Sequence, residues 1–472
     1  MSLQDDIKPI LKHVNIFEST RLHNATLFEI FEGDLMTHVL FDLQRQLSPN
    51  SFQIIRDRVA PINVLIRMID KLSKIYVNPP KRVINGTDND KKLYDFYFKH
   101  MRPNVTFNCG NEFFNLFKNT FIEPLLEKGK PKIRIIPSSQ FMVFSSDIIN
   151  PLRVTHLVKF MGTGEMKVGN KGEVIQVGIL FLYTDEEFLI INTEGAILRD
   201  EMARLKQDGK NPFGTIPGVY VNRSKNKLIP LIDTDTLQMT KLFPVLISDL
   251  NFGAMFQAFS IIYGIDLNDE NLRYSPNAFW RFKSDKTGSG DSKPQIGTLK
   301  PELDITGVLE LIRFQLGFWL QSRNIKPGDV AQITTQNFAS GISKMVDEMD
   351  TSEDRQKQVP FFEDAEEEFW FKIANNFHPH WARNKTVDLT TAFSSNVEVD
   401  VQFQEQRPNI KRKEVIEEQA REVKEAFTTR KRAIERLNPD MLEEEIVELM
   451  AEIEADRTVT IEDDDGSKVG QE

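Results

Sequence analysis

The residues best suited to chemistry are two histidines, His378 and His380, in the string FHPHW. Imidazoles bind zinc well, but these two are separated only by Pro379 and have no third ligand nearby in the sequence, so a structural turn is expected and no metal. The other histidines, His13, His23, His38, His100 and His156, are scattered singly. The run GTGEMKVGNKG, from Gly162 to Gly172, offers backbone amides to a phosphate. Its glycine spacing is wrong for a phosphate loop and the strand–loop–helix setting is missing, so it reads as a hairpin turn. Cys109 is the single cysteine. It has no histidine beside it to activate a thiolate, and one cysteine excludes both an intramolecular disulfide and a cysteine-cluster zinc site. Glu363 and Glu366 to Glu368 crowd one side of an aromatic helix, where a solvated or subunit-facing acidic face is expected rather than an acid–base pair. The motifs G-x-S-x-G, H-E-x-x-H, the EF-hand loop and the complete dinucleotide fingerprint are absent. An enzyme would need groups that meet only in space, such as Asp147, Asp185 and Glu187. The expectation is therefore no enzyme, with no catalytic residues and no cofactor.

Composition sets wider bounds. With 472 residues, 40% hydrophobic and 27% charged, the chain is globular and long enough for two to four domains. No window of about 18 residues is continuously apolar, and the first residues carry Asp5, Asp6 and Lys8, so neither a membrane span nor a signal peptide is expected and the compartment is cytosol-like. The net charge of -11 is concentrated towards the C-terminal end, in Glu443 to Glu445, Glu452, Glu454 and Glu462 to Asp465. Such a balance disfavours tight static binding to nucleic acid, yet allows a polyanion to pass without adhering. Thr458 to Glu472 reads as a solubilising disordered tail.

The elements that would position these residues predict an α+β chain. Residues 1–47 give no clear pattern. From Ser51 to Tyr76 the spacing of Ile62, Leu65, Ile66, Ile69 and Leu72 predicts an amphipathic helix kinked or broken at Pro61. Leu93 to Leu126 reads as two further helices around Cys109 and Gly110. Strands follow at Ile133–Pro137, Gln140–Phe144 and Val154–Phe160, then a hairpin closed near Asp185 and Glu186, and the sheet region extends to about Ile229. A long helix begins after Asp233 to Asp235 and carries Phe243, Ile247, Leu250, Ala254, Ala258, Ile261 and Ile262 to its end at Gly264. A polar insert with a short strand, Ala278 to Phe282, separates it from a second long helix that returns antiparallel beside it.

That return helix has two apolar faces: Ile305, Val308, Leu309, Ile312, Leu316, Trp319 and Leu320 on one, with Leu311, Phe314 and Phe318 on the flank. A helix so built needs neighbours on both sides, some of them other subunits. Beyond it a loop leads to a short helix opened by Ser340-Gly341, then to a separate helix capped by Thr351 to Asp354, a strand at Val397–Phe403, and charged helices carrying Ile416, Ala420, Val423 and Phe427, then Leu442, Ile446, Leu449, Met450 and Ile453 after an Asn438-Pro439 cap.

In this order of parts the chain resembles the portal proteins of tailed bacteriophages. The resemblance is carried by IYVNPPKR (Ile75 to Arg82), IPLIDTDTL followed by SDLNFGAMFQAFS, ASGISKMVDEMDTSEDRQ, and RPNIKRKEVIEEQAREV with RLNPDMLEEEIVEL, and it spans roughly residues 50–455. It implies a mixed portal fold: after an N-terminal segment, 1–50, a wing at 51–232, stem helices at 233–265 and 303–323 around a clip at 266–302, a channel loop and helix at 324–345, a wing return at 346–400, crown helices at 401–457 and the tail, 458–472. It further implies a homo-oligomeric ring, usually a dodecamer, at the capsid vertex of a virion assembled in the host cytoplasm. Its partners would be duplex DNA in the channel, the terminase large subunit, a head-completion or adaptor protein, and the major capsid and scaffolding proteins. The family lends no catalytic residue. The implied channel positions are Arg323, Lys326, Gln332, Gln336, Asn337 and Lys344, and the implied terminase or adaptor contacts are Arg281, Lys283, Lys286 and Lys293. An intracellular helical scaffold acting through its C-terminal helices is the alternative.

Overall fold

The computed structural model describes residues 3–168, 173–205, 208–258, 261–265, 279–282, 295–299, 304–325, 341–395, 397–403, 412–425, 427–437, 446, 449–451 and 453. The chain divides into two compact units, Met1–Asn337 with Met349–Glu405, and Phe338–Glu348 with Gln406–Glu472.

The first unit opens with helices where the sequence gave no clear pattern: α1 (Leu3–Ile16), α2 (Glu18–Phe31) and α3 (Leu35–Gln46). Leu3, Ile7, Ile10 and Val14 recur at helical spacing, and all four are buried. Ser48 caps α4 (Pro49–Ile55), whose proline sits where a missing N–H costs nothing. The predicted break at Pro61 is wide: a single tight turn, Arg56–Arg58, and an extended segment separate α4 from α5 (Val64–Leu72). After β1 (Lys81–Asn85) comes α6 (Asp88–Met101), which starts with a reciprocal cap between Thr87 and Asp90. Arg102 then adopts φ 48°, and Pro103 begins α7 (Pro103–Phe117).

The helical reading of the stretch to Leu126 is corrected here, because Asn119–Glu127 is strand β2. It pairs with β3 (Lys130–Ile136) and, on its other edge, with β8 (Val219–Asn222). A central strand buried on both faces loses the alternation that marks a half-exposed one. Between β3 and β8 run β4 (Phe141–Phe144), β5 (His156–Val168), β6 (Glu173–Tyr183) and β7 (Phe188–Asn192), an antiparallel sheet in that order, followed by α8 (Arg199–Arg204). The β5–β6 register runs out to Val168 opposite Glu173, so Gly162 and Gly164 lie within strand β5; residues 169–172 lie outside the described ones.

Next come α9 (Thr234–Ala258), β9 (Ile261–Ile265), β10 (Phe279–Phe282), β11 (Gln295–Leu299) and α10 (Ile305–Gln321). Ile261 and Ile262 therefore belong to a strand, not to the long helix. β9 is the centre of a small sheet, parallel to β10 and antiparallel to β11.

One helix, α11 (Gly341–Lys372), replaces the two expected there. Thr351 to Asp354 makes no break, since Asp354 is buried and accepts from Gln358 Nε2 at 3.0 Å. Pro360 lies inside the helix, which continues because Phe362, Ala365 and Phe369 are held in the core. A π-helical turn, Ile373–Phe377, leads into α12 (His378–Arg383), so FHPHW is helical rather than a turn. β12 (Glu398–Gln402) then pairs antiparallel with β1.

Among the described residues, the core of this unit has four parts. One joins α2, α3, α5 and α7 to α9 and α10, and a second gathers α6, α7, β2 and β8 against α11, α12 and β12. A third lays α1 on the four-stranded sheet, and the smallest lies around Phe121, Phe141 and Leu157. In the second unit, α13 (Arg412–Lys424) packs on α14 (Arg430–Leu437), with Gln419 and Ala433 buried. The Asn438-Pro439 cap and the tail from Thr458 to Glu472 lie outside the described residues.

Candidate functional site

The structural feature that stands out is the stalk made by α9 and α10. Its inner face is apolar: Phe243 on α9 meets Ile312, Leu316, Trp319 and Leu320 on α10, all buried. Phe243 and Trp319 rings lie 6.2 Å apart. Pro244 interrupts the hydrogen bonding of α9, and Ser248 donates its hydroxyl back to the Pro244 carbonyl. The same Ser248 oxygen accepts from the Ala60 N–H at 2.8 Å, tying the extended segment before α5 to the stalk. Lys241 pairs with Asp42 of α3 at 2.6 Å.

The flank of α10 is different. Leu311, Phe314 and Phe318 are 53%, 70% and 68% exposed, and the two phenyl rings stack at 6.3 Å. Their spacing puts them on one stripe of the helix, opposite the buried one.

At the root of the stalk the two helices are clasped. Arg323, just past α10, donates to both oxygens of Asp233 at 3.0 and 2.8 Å and to Asp235 at 2.8 Å. Lys118, at the end of α7, reaches the same Asp233 at 3.3 Å. Burial would raise the Asp233 carboxyl, but hydrogen bonding and the charges of Arg323 and Lys118 hold it well below the usual carboxylate range. His23 of α2 sits against Asp233, and burial lowers its imidazole below the ordinary value.

The sequence-predicted positions are distributed as follows. The Arg323 guanidinium is engaged by Asp233 and Asp235, partners the sequence marked only as a helix cap. Arg281 lies on β10, and Lys344 in the first turn of α11. Lys326, Gln332, Gln336 and Asn337, together with Lys283, Lys286 and Lys293, lie outside the described residues.

The groups first weighed for chemistry have structural partners. His378 is buried, with Nε2 2.7 Å from the Thr391 carbonyl and Nδ1 2.8 Å from the Tyr97 hydroxyl. A carbonyl only accepts, so Nε2 carries the proton and Nδ1 accepts from Tyr97. His380 bonds Asn384 instead, and among the described residues no group of three His, Cys, Asp or Glu is placed to hold a metal. Burial pushes the Cys109 thiol up to about 11. Asp147 and Asp185 both reach Arg153, at 3.9 and 3.7 Å, whereas Glu187 accepts from the Leu3 N–H.

The acidic face of α11 is corrected in one respect. Glu366 is fully buried: Arg82 donates to it at 2.6 and 2.9 Å and the Tyr76 hydroxyl at 2.7 Å, while Arg82 also reaches Asn104. Glu363 and Glu367 accept from the backbone of Phe403 and Val401, capping the β12 edge. These carboxylates hold the return of the chain onto the second part of the core rather than facing only water or another subunit.

No protein-family model matches this chain, and no curated protein matches it. Among the described residues, no helix is long and apolar enough to cross a membrane.

Proposed function

We propose that the chain is the subunit of a portal ring: a homo-oligomer, dodecameric as is usual in that family, at one vertex of a viral capsid. Duplex DNA passes through its channel during packaging and ejection. The terminase large subunit docks on it first and a head-completion or adaptor protein later, and the major capsid and scaffolding proteins surround it in the virion. In this reading α9 and α10 are the stem, the β9–β11 sheet belongs to the clip, the segment after Arg323 is the channel loop, and the C-terminal helices are the crown.

The observation that carries the reading is the bare stripe Leu311, Phe314 and Phe318 on a helix whose opposite face is already buried. Covering a large apolar side chain is worth about 1.5–3 kcal/mol. A ring supplies that cover through repeated head-to-tail contacts, each subunit offering one surface to each neighbour. The order helix, small sheet, helix adds support, because it matches the stem, clip, stem order of that family.

The test is assembly of the double variant Phe314→Ser/Phe318→Ser, followed by sedimentation velocity. Rings in the wild type and free subunits in the variant support the reading; unchanged assembly contradicts it. The scaffold alternative draws on Ile416 and Phe427, exposed in the second unit, and predicts partner binding that survives removal of residues 1–400.

A further inference from the structure

The loop between β8 and α9 is out of character with an acidic chain. Within the five positions RSKNK it places Arg223, Lys225 and Lys227 with no acid among them, in a protein of net charge -11. Opposite stands Lys118, the left-handed residue that ends α7 with φ 65°. Lys118, Arg223, Ser224, Asn226 and Lys227, together with Pro230 and Leu231, line a cleft of about 300 Å³, and Lys225 stands exposed on the same turn outside that lining.

The cleft has fixed walls. The Arg223 N–H donates to the Lys118 carbonyl at 2.9 Å, joining the two sides. Asn222 accepts from the Ser224 N–H at 3.0 Å and donates to the Lys227 carbonyl at 2.7 Å, and Tyr220 donates to the Leu228 carbonyl at 2.6 Å. Lys227 N–H donates to the Ser224 hydroxyl at 3.1 Å, so the lysine-bearing turn is set in advance of any ligand.

Two of the four cations are paired and two are not. Lys118 reaches Asp233 at 3.3 Å, and Asp235 shares Arg323 with Asp233, so these two carboxylates balance Lys118 and Arg323. Arg223 meets Asp354 only at 3.5 Å. Lys225 and Lys227 are exposed, and among the described residues neither has an ion-pair partner. Cations strung along an open rim, rather than converging on one point, suit a ligand with repeated charges better than a single small anion.

We propose that this cleft binds the phosphate groups of a nucleic-acid backbone. The choice of duplex DNA as the polymer rests on the portal reading; the site and its preference for phosphate do not. The ion pairs Lys118–Asp233–Arg323 link the cleft to the root of the segment that begins after residue 325, so the cleft lies where the stalk meets the body of the subunit. A few exchangeable phosphate contacts on an otherwise acidic chain would steady a sliding polyanion without arresting it.

The experiment is fluorescence anisotropy of a labelled duplex DNA with the full-length protein across a salt series, with negative-stain images of each sample. Lys225→Glu/Lys227→Glu is compared with Lys8→Glu/Lys12→Glu, an equal charge change on the exposed side of α1. The loop variant is expected to bind at least about tenfold more weakly, with the slope of log K against log salt reduced by about two, while the control keeps most of its affinity. Equal losses in the two variants overturn the proposal, because net charge alone would then explain them. A wild type that binds inorganic phosphate but not DNA, or neither, also overturns it, the latter pointing to an acidic protein partner. Rings whose DNA binding ignores the loop variant sink the cleft and leave the portal reading standing; loop-dependent DNA binding without rings does the reverse.

Discussion

Arg323 and Asp233 lie ninety residues apart and bind each other through two parallel hydrogen bonds of 3.0 and 2.8 Å. Everything from α9 through the small sheet to the end of α10 lies between them in sequence, so this pair closes the stalk at its root. Lys118 of α7 joins them, tying the stalk to the body at the same carboxylate.

Breaking the clasp should loosen the stalk without unfolding the subunit. Arg323→Ala is expected to cost about 1–3 kcal/mol, below the range for a fully buried pair because Asp235 is more than half exposed. Hydrogen exchange should show faster opening at the ends of α9 and α10 and little change in β2. Uniformly faster exchange, or none anywhere, contradicts this.

The Arg82–Glu366 pair is buried on both sides, with side-chain exposures of 4% and 0%. Arg82→Ala leaves a carboxylate in the core with Tyr76 and should cost about 3–5 kcal/mol, read from the urea midpoint. Replacing both partners, Arg82→Met with Glu366→Met, should cost much less, since no uncompensated charge remains.

Asp90 accepts hydrogen bonds from the backbone and hydroxyl of both Ser394 and Thr87. Burial would raise its carboxyl, but these bonds hold it at about 2. With an unfolded value near ~3.9 the folded value is depressed, so the stabilisation is complete above about pH 4 and is lost as pH falls through about 2. Asp90→Asn should lose about 1–2 kcal/mol at neutral pH and show a shallower loss in acid. Equal acid sensitivity in the two proteins would sink this assignment.

His378 titrates in the opposite region. Burial lowers its imidazole, only partly offset by the bond to Thr391. The folded state therefore takes up its proton later than the unfolded chain, whose value is near ~6.5, and stability falls as pH drops below about 6.5. His378→Gln should flatten the dependence of the thermal midpoint on pH between about 5 and 7. An unaltered slope would show that the imidazole is not the group responsible.

How much of this was legible in the sequence varies with the residues concerned. Ile312, Leu316, Trp319 and Leu320 recur at helical spacing, so the buried face of α10 was plain, as was the flank of Leu311, Phe314 and Phe318. The antiparallel return could be read from the insert between two long helices. Strand β2 was misread because Phe121, Leu125 and Leu126 mimic a helical stripe when both faces of a strand are covered. Helices α1 to α3 do carry a signal, in Leu35, Val39 and Leu43 for one, but their short lengths and Pro9 inside α1 obscure it. The burial of Glu366 was beyond reach, since Arg82 lies 284 residues away and only the folded chain brings them together. The cleft at Arg223–Lys227 had a visible clue in its run of cations, but Lys118 joins it from another element.

A portal subunit must form a closed ring with a passage for DNA. The most direct measurement is the mass of the purified protein in solution, with negative-stain images of the same peak. Dodecameric rings with a central hole at least as wide as duplex DNA are expected. A monodisperse monomer at high concentration and at several salt concentrations would contradict the portal reading, and the exposed stripe on α10 would then need a different partner.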